Sequence, residues 1–277
     1  MINWFPGHMN KSIKQMQSDS KLCDCFLYVL DARCPNSCIN PEFVKVCKDK
    51  PIIYVLSKAD LINSKDVERL KKEFALRGAG CVALNSTISG TSKSLIAEIK
   101  RVFADRLNKN KVQGVNFVTR AMVLGVPNSG KSTIVNNLCN KGRAVTGNKA
   151  GVTKNKQWVR VEPTIEVMDT PGILLPNFEN EDNAYNLAFV GSVKTEVLNV
   201  IEVASRLIGK LLEIDRQCLT TKYGVDINNI THNVEILERI ARKRGCLVKG
   251  GEVDLERAAL ILLADFRSAK LGKICLE

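Results

Sequence analysis

The residues best equipped for chemistry in this 277-residue chain lie in the run GVPNSGKS at positions 125–132. It fits GxxxxGK[ST] at every fixed position. The glycines let backbone N–H groups curl around phosphate oxygens, and a helix that follows adds the positive end of its dipole. The pattern assigns Asn128, Ser129 and Gly130 to the phosphate cradle and Lys131 to the β- and γ-phosphates, as binding group and catalytic candidate. Ser132 and Thr133 open the helix, with the Ser132 hydroxyl placed to ligate Mg²⁺.

A second motif, Asp169-Thr-Pro-Gly172, ends the next strand-like run. An acid in that position belongs to the Mg²⁺ shell, and the Gly172 N–H can sense the γ-phosphate. Between the two motifs stands Gly151-Val-Thr153. A threonine in such a loop is the usual second protein ligand to Mg²⁺ and folds onto the γ-phosphate. Taken alone Thr153 reads equally as an ordinary loop residue; its place between the other motifs is what selects it.

Base reading needs a further motif. Downstream, Thr221-Lys-Tyr-Gly224 lacks an aspartate, but upstream Ser57-Lys58-Ala59-Asp60 follows the apolar run PIIYVL. The Asp60 carboxylate can accept from guanine N1 and N2, a donor pair that adenine lacks, and the Lys58 stem can cover the base. Asn85-Ser86, ending another apolar run, would supply a backbone N–H to guanine O6. The ligand is therefore GTP or GDP, and the base-reading motifs precede the phosphate-reading ones: a permuted order.

Hydrolysis needs a group that orients water. Ile173 follows the aspartate motif and cannot hydrogen-bond, so the group must come from elsewhere. His8, in the tight FPGH segment, is the attractive candidate. The competing reading has His8 ordering the N-terminal turn or touching RNA.

Elements must position these residues. Short apolar runs at 25–30, 51–56, 81–84, 121–124 and 165–168 each end in polar, loop-forming residues and read as buried parallel strands. Helical patterns at 64–77 and 92–107 separate several of them, with a polar connection at 108–114. The expectation is an α/β fold: a P-loop GTPase domain over 1–178, with a doubly wound, mostly parallel sheet. Functional groups then sit at the carboxyl ends of strands. After 178 the strand pattern stops, and 183–214, 233–244 and 255–269 read as the helices of a smaller all-α domain, 179–277.

Composition narrows the partners. Forty-one Lys and Arg against 29 Asp and Glu leave +12. That excess favours an anionic partner, most simply nucleic acid, over a merely solvated surface. Aromatics make up 5%, so backbone and shape recognition is expected rather than stacking on single strands. Ten cysteines without a CxxC pair, and only His8 and His232 to join them, read as buried reduced thiols of a cytoplasmic protein. The N-terminal segment lacks a signal-peptide core, and no apolar stretch of ~20 residues could span a membrane.

Taken jointly, WFPGHM at 4–9, DARCP at 31–35, SKADL, GVPNSGKST, GVT, DTPGIL, and the C-terminal KRGCLVKGG and FRSAKLGKI resemble the YlqF/RbgA ribosome-biogenesis GTPases. The resemblance spans nearly the whole chain. It implies a role in maturing the large ribosomal subunit, with precursor and rRNA as partners, no DNA, and hydrolysis stimulated by the particle. It also tilts His8 towards the catalytic reading. The P-loop is similar to other GxPNxGKS GTPases, which implies that Asn128 ligates K⁺; the alternative is local turn hydrogen bonding. Arg242, Lys243, Arg244, Lys249, Arg267, Lys270 and Lys273 are the groups expected on rRNA backbone, against a solvated helix face. Two positions depart from the family: Ser57 stands where Asn is usual, and Ile39 where Arg is usual. A monomer is expected. The competing function is an RNA-docking scaffold that uses GTP only as a structural ligand.

Overall fold

The structure, a computed structural model, describes residues 8–85, 90, 92–114, 117–139, 158–174, 180–193, 199–228 and 230–277, with backbone alone over 8–12. Six strands form one sheet: β1 (Cys25–Asp31), β2 (Ile52–Ser57), β3 (Gly80–Leu84), β4 (Thr119–Leu124), β5 (Trp158–Glu162) and β6 (Ile165–Met168). Their order is β3-β2-β1-β4-β6-β5. All neighbours are parallel except the edge strand β5, which runs antiparallel to β6.

Parallel neighbours require crossover connections, and helices fill them. The chain builds β1 to β3 outward in one direction, then returns beside β1 to lay β4 and build the other half. The centre of the sheet is thus a topological switch point, where a crevice opens beyond the strand ends. The β1 end at Asp31 and the P-loop after β4 flank that crevice.

The central strands are buried on both faces. Phe26, Tyr28, Leu30, Tyr54, Leu56, Met122 and Leu124 point to one core, and Cys25, Leu27, Val29, Ile53, Val55, Ala121 and Val123 to the other. Alternation of side chains along a strand forces this division. The second core is closed by α4 (Ser92–Val102) through Leu95 and Ile99, and by α6 (Lys131–Cys139) through Ile134 and Leu138. The first is closed by α1 (His8–Asp19), α2 (Pro41–Val46) and α3 (Ser64–Arg77). It then continues without a break into the C-terminal helices α7 (Glu181–Phe189), α8 (Val200–Ile214), α9 (Gln217–Tyr223), α10 (Asn233–Lys243) and α11 (Leu255–Arg267).

Several local expectations are revised. The 92–107 pattern breaks at Phe103, and α5 (Ala104–Val112) occupies most of the presumed connection. The presumed helix over 183–214 is interrupted: among the described residues α7 ends at Phe189, with Gly191 at φ +83° beyond it, and α8 starts at Val200. Strand β5 had no counterpart in the apolar runs. It is a half-exposed edge carrying Arg160 and Glu162, so it lacks the continuous hydrophobicity of a central strand. All ten cysteines are free thiols, eight of them buried. Among the described residues no helix is long and apolar enough to cross a membrane.

Candidate nucleotide site

Strand ends bring most of the chosen residues together. Lys131 opens α6 and lies against the P-loop it follows, its Nζ donating to the Val126 carbonyl at 2.8 Å. Burial pushes its ammonium down to about 8, with Asp169 pulling it back up. A polyphosphate in the cradle would add its negative charge to that of Asp169 around this buried cation.

Beside it, the Ser132 hydroxyl donates to Asp169 Oδ2 at 2.6 Å. A hydroxyl and a carboxylate side by side are the oxygen donors that suit Mg²⁺, which takes one or two protein oxygens and completes its shell with water and phosphate. Among the described residues no cluster of three His, Cys, Asp or Glu side chains could cage a metal. The donor set therefore fits an ion shared with a nucleotide rather than a protein-only cage. Thr170 is tied to its sheet neighbour by a 2.6 Å bond to the Val123 carbonyl.

Gly172 shows why this motif ends in glycine. A Cβ there would meet Pro127 Cα at 2.6 Å and Lys131 Nζ at 2.8 Å. Only a residue without a side chain lets the backbone pass this close to the phosphate loop. The next residue, Ile173, is 1% exposed and belongs to the core, so it takes no part in handling water.

The loop after β2, the candidate base reader, is anchored to the phosphate loop. The Ser57 hydroxyl lies 2.6 Å from the Ser129 carbonyl and 2.9 Å from the Leu30 carbonyl, and can donate to one of them at a time. Serine in place of the usual asparagine thus still braces the P-loop. Lys58 takes φ +55° and leads into the single turn Ala59–Leu61, which carries Asp60. Its Nζ donates to Asp31 Oδ2 and to the Asn128 carbonyl, both at 2.8 Å. Asn85 follows β3 directly, one residue past Leu84, the register partner of Ser57 on the neighbouring strand.

Asn128 is exposed, at φ +57°, and its Nδ2 donates to the Gly191 carbonyl at 2.7 Å. That bond orients the amide and leaves Oδ1 as its acceptor. Gly130 and Thr133 lie at the mouth of α6, and Ser129 is fully buried. Ser86, Thr153 and the side chain of His8 lie outside the described residues; His8 is the first residue of α1.

The structure adds two residues with no assigned role so far. Asp31 ends β1 inside the crevice, and Arg33 forks onto it with bonds of 2.9 Å to Oδ1 and 2.7 Å to Oδ2, both side chains at most 2% exposed. Burial pushes the Asp31 carboxyl up, but Lys58 and then Arg33 overcome this and hold it well below the usual carboxylate range. An aspartate at the end of a central strand, next to the P-loop strand, was the available signal. Of the seven cations expected on rRNA, Arg267 is withdrawn: its guanidinium donates to the Phe189 and Ala188 carbonyls. The other six are exposed.

Known proteins resemble this chain in sequence and fold. A family described as 50S ribosome-binding GTPase matches residues 120–239. Ribosome biogenesis GTPase A of Bacillus licheniformis is 36% identical over 100% of this chain and 98% of its own length. The protein of the same name from Thermotoga maritima is 30% identical over 100% of this chain and 94% of its own. Among solved structures, GNP-bound YlqF from T. maritima superposes with a TM-score of 0.66 at 26% identity, covering 96% of this chain and 97% of that one. A GDP-bound YlqF matches equally, at 0.66 and 26%, over 95% and 98%.

Proposed function

We propose that this chain, which belongs to the ribosome biogenesis GTPase A family (YlqF/RbgA), works on the large ribosomal subunit and has its hydrolysis stimulated by the assembling particle. It is a GTP-hydrolysing enzyme of ribosome biogenesis. The observation that carries the proposal is the exposed run Arg242-Lys243-Arg244 at the end of α10, followed by Lys249, with no acid between them. Such a run neutralises backbone phosphates. Lys270 and Lys273 extend the exposed charge along the tail.

In this reading residues 1–178 form the GTPase domain and 179–277 the rRNA-binding domain of a cytoplasmic monomer. Asp60 and Lys58 read guanine, with Ala59, Asn85 and Ser86 completing the base pocket. Lys131, Gly130 and Ser129 hold the phosphates, Thr133 supports the cradle, and Gly172 senses the γ-phosphate. Ser132, Asp169 and Thr153 would hold Mg²⁺, which when bound neutralises charge on the β- and γ-oxygens. The Asn128 amide oxygen would ligate K⁺, adding positive charge at the same place. Ile173 leaves the water without a partner, and His8, brought in when the particle binds, supplies it.

The test is the salt dependence of binding to large-subunit precursors. Neutralising Arg242, Lys243, Arg244 and Lys249 together is expected to weaken binding and to flatten the slope of log K against log salt. The slope should fall by about 0.7–0.9 for each phosphate that the variant no longer neutralises. An unchanged slope removes this surface from the interface.

A further inference from the structure

Two backbone carbonyls of the C-terminal helices accept hydrogen bonds from side chains of the nucleotide loops. Gly191, just past α7, takes the Asn128 amide at 2.7 Å. Arg267, the last residue of α11, takes Arg33 Nη1 at 3.2 Å. The Arg267 side chain locks these two carbonyls to each other. Its Nε donates to the Phe189 carbonyl at 2.9 Å and its Nη2 to the Ala188 carbonyl at 2.8 Å, capping the end of α7. Gly191 is shaped around that guanidinium: it takes φ +83°, and a Cβ there would stand 3.2 Å from Arg267 Cζ.

The two routes meet inside the nucleotide site. One runs from the Arg267 carbonyl through Arg33 to Asp31 and then to Lys58. The other runs from the Arg267 guanidinium through the end of α7 and Gly191 to Asn128. They close on the 2.8 Å bond from Lys58 Nζ to the Asn128 carbonyl. Lys58 and Asn128 are also two of the four non-glycine residues at positive φ among those described. A residue persists in that region when its surroundings over-determine it. Here the surroundings include a helix 139 residues further along the chain than Asn128, by the numbering of the sequence.

We propose that Arg267 is a positioning residue of the nucleotide site: it holds Asn128 in the geometry that binds GTP, acting through the end of α7 and Gly191. The link makes docking of the C-terminal helices part of nucleotide recognition, and by reciprocity a ligand on either side shifts affinity on the other. A purely structural role for the guanidinium, satisfying the carbonyls of α7, would lower stability without this coupling.

The experiment measures binding of a fluorescent GTP analogue to the full chain as wild type, Arg267→Met, Arg267→Lys, Asn128→Ala and the double variant Arg267→Met/Asn128→Ala, with thermal melts of each. Arg267→Met keeps the aliphatic stem and is expected to weaken binding about fivefold or more, while Arg267→Lys recovers part of the loss. In the Asn128→Ala background the same change is expected to cost less than about twofold, because its route is already cut. Unchanged affinity in Arg267→Met, or an equal loss in both backgrounds, would overturn the proposal, whatever happens to the melting temperature. If Arg267→Met does not fold, the cycle is run with Arg267→Lys, and the same two outcomes decide. Wild type that binds no GTP would instead refute the nucleotide site itself.

Discussion

The Ser57 hydroxyl and the Ser129 carbonyl stand 2.6 Å apart, joining the loop after β2 to the phosphate loop across 72 residues of sequence. Both residues are fully buried, so this bond is made without competition from water. With the bond from Lys58 Nζ to the Asn128 carbonyl, it ties the two loops together.

Removing that hydroxyl should be felt in binding rather than in folding alone. Ser57→Ala leaves a buried carbonyl without its donor, a loss of about 1–3 kcal/mol. GTP and GDP affinity is expected to fall together, by on the order of tenfold, because the brace touches the loop and not the γ-phosphate. Equilibrium titration with both nucleotides checks this.

The proposed guanine reader is Asp60. Asp60→Asn replaces an acceptor-only carboxylate with an amide that presents a donor, so GTP affinity is expected to fall roughly 100-fold or more as two charge-assisted bonds are removed. A xanthine nucleotide, which carries an oxygen where guanine has its N2 amine, should bind the variant better than GTP does. Competition between GTP, ATP and XTP reads the outcome.

Acid should unfold the protein partly through Asp31. Its folded carboxyl is held below the ordinary range by Lys58 and Arg33, while the unfolded chain takes up that proton near pH ~4. The stability it contributes is therefore present above pH ~4 and is lost progressively as pH falls below that value. Asp31→Asn should flatten this acid limb in denaturant titrations between pH 5 and pH 2. At neutral pH it should cost about 3–5 kcal/mol, since Arg33 is left buried without its partner charge.

The Mg²⁺ requirement should follow Ser132. Ser132→Ala deletes one of two adjacent oxygen donors while Asp169 remains. The Mg²⁺ concentration for half-maximal hydrolysis is expected to rise on the order of tenfold, about 1.4 kcal/mol. Chelation of divalent cations should stop turnover in wild type and variant alike.

How much of this was legible in the sequence differs from residue to residue. Central strands announced themselves because burial on both faces requires unbroken apolar runs, and each of these runs ends at or just before a loop of the candidate site. Lys131 and Ser132 could be picked out because a strand-loop-helix unit places them locally, and Asp169 because it follows a strand, β6, that pairs with the P-loop strand and brings it to Ser132. The edge strand β5 could not, since Arg160 and Glu162 face solvent and break the apolar pattern. Nor could the break after α7, where one glycine at positive φ ends a helix amid helix-compatible residues. The roles of Arg33 and Arg267 were invisible for a different reason. They meet across 234 residues, and no local periodicity or motif spacing encodes an interaction of that range. Arg267 read as one more surface cation until the carbonyls of Ala188 and Phe189 were seen to occupy it.

The role in large-subunit assembly is tested most directly by GTP turnover with and without purified large ribosomal subunits, repeated for His8→Ala. Acceleration of at least roughly tenfold by large subunits is expected for wild type, since a polar group supplied late to a γ-phosphate has large leverage on turnover. His8→Ala should keep its GTP affinity and lose that acceleration. Equal turnover with and without large subunits would contradict particle-stimulated hydrolysis, and full acceleration in His8→Ala would remove the histidine from it.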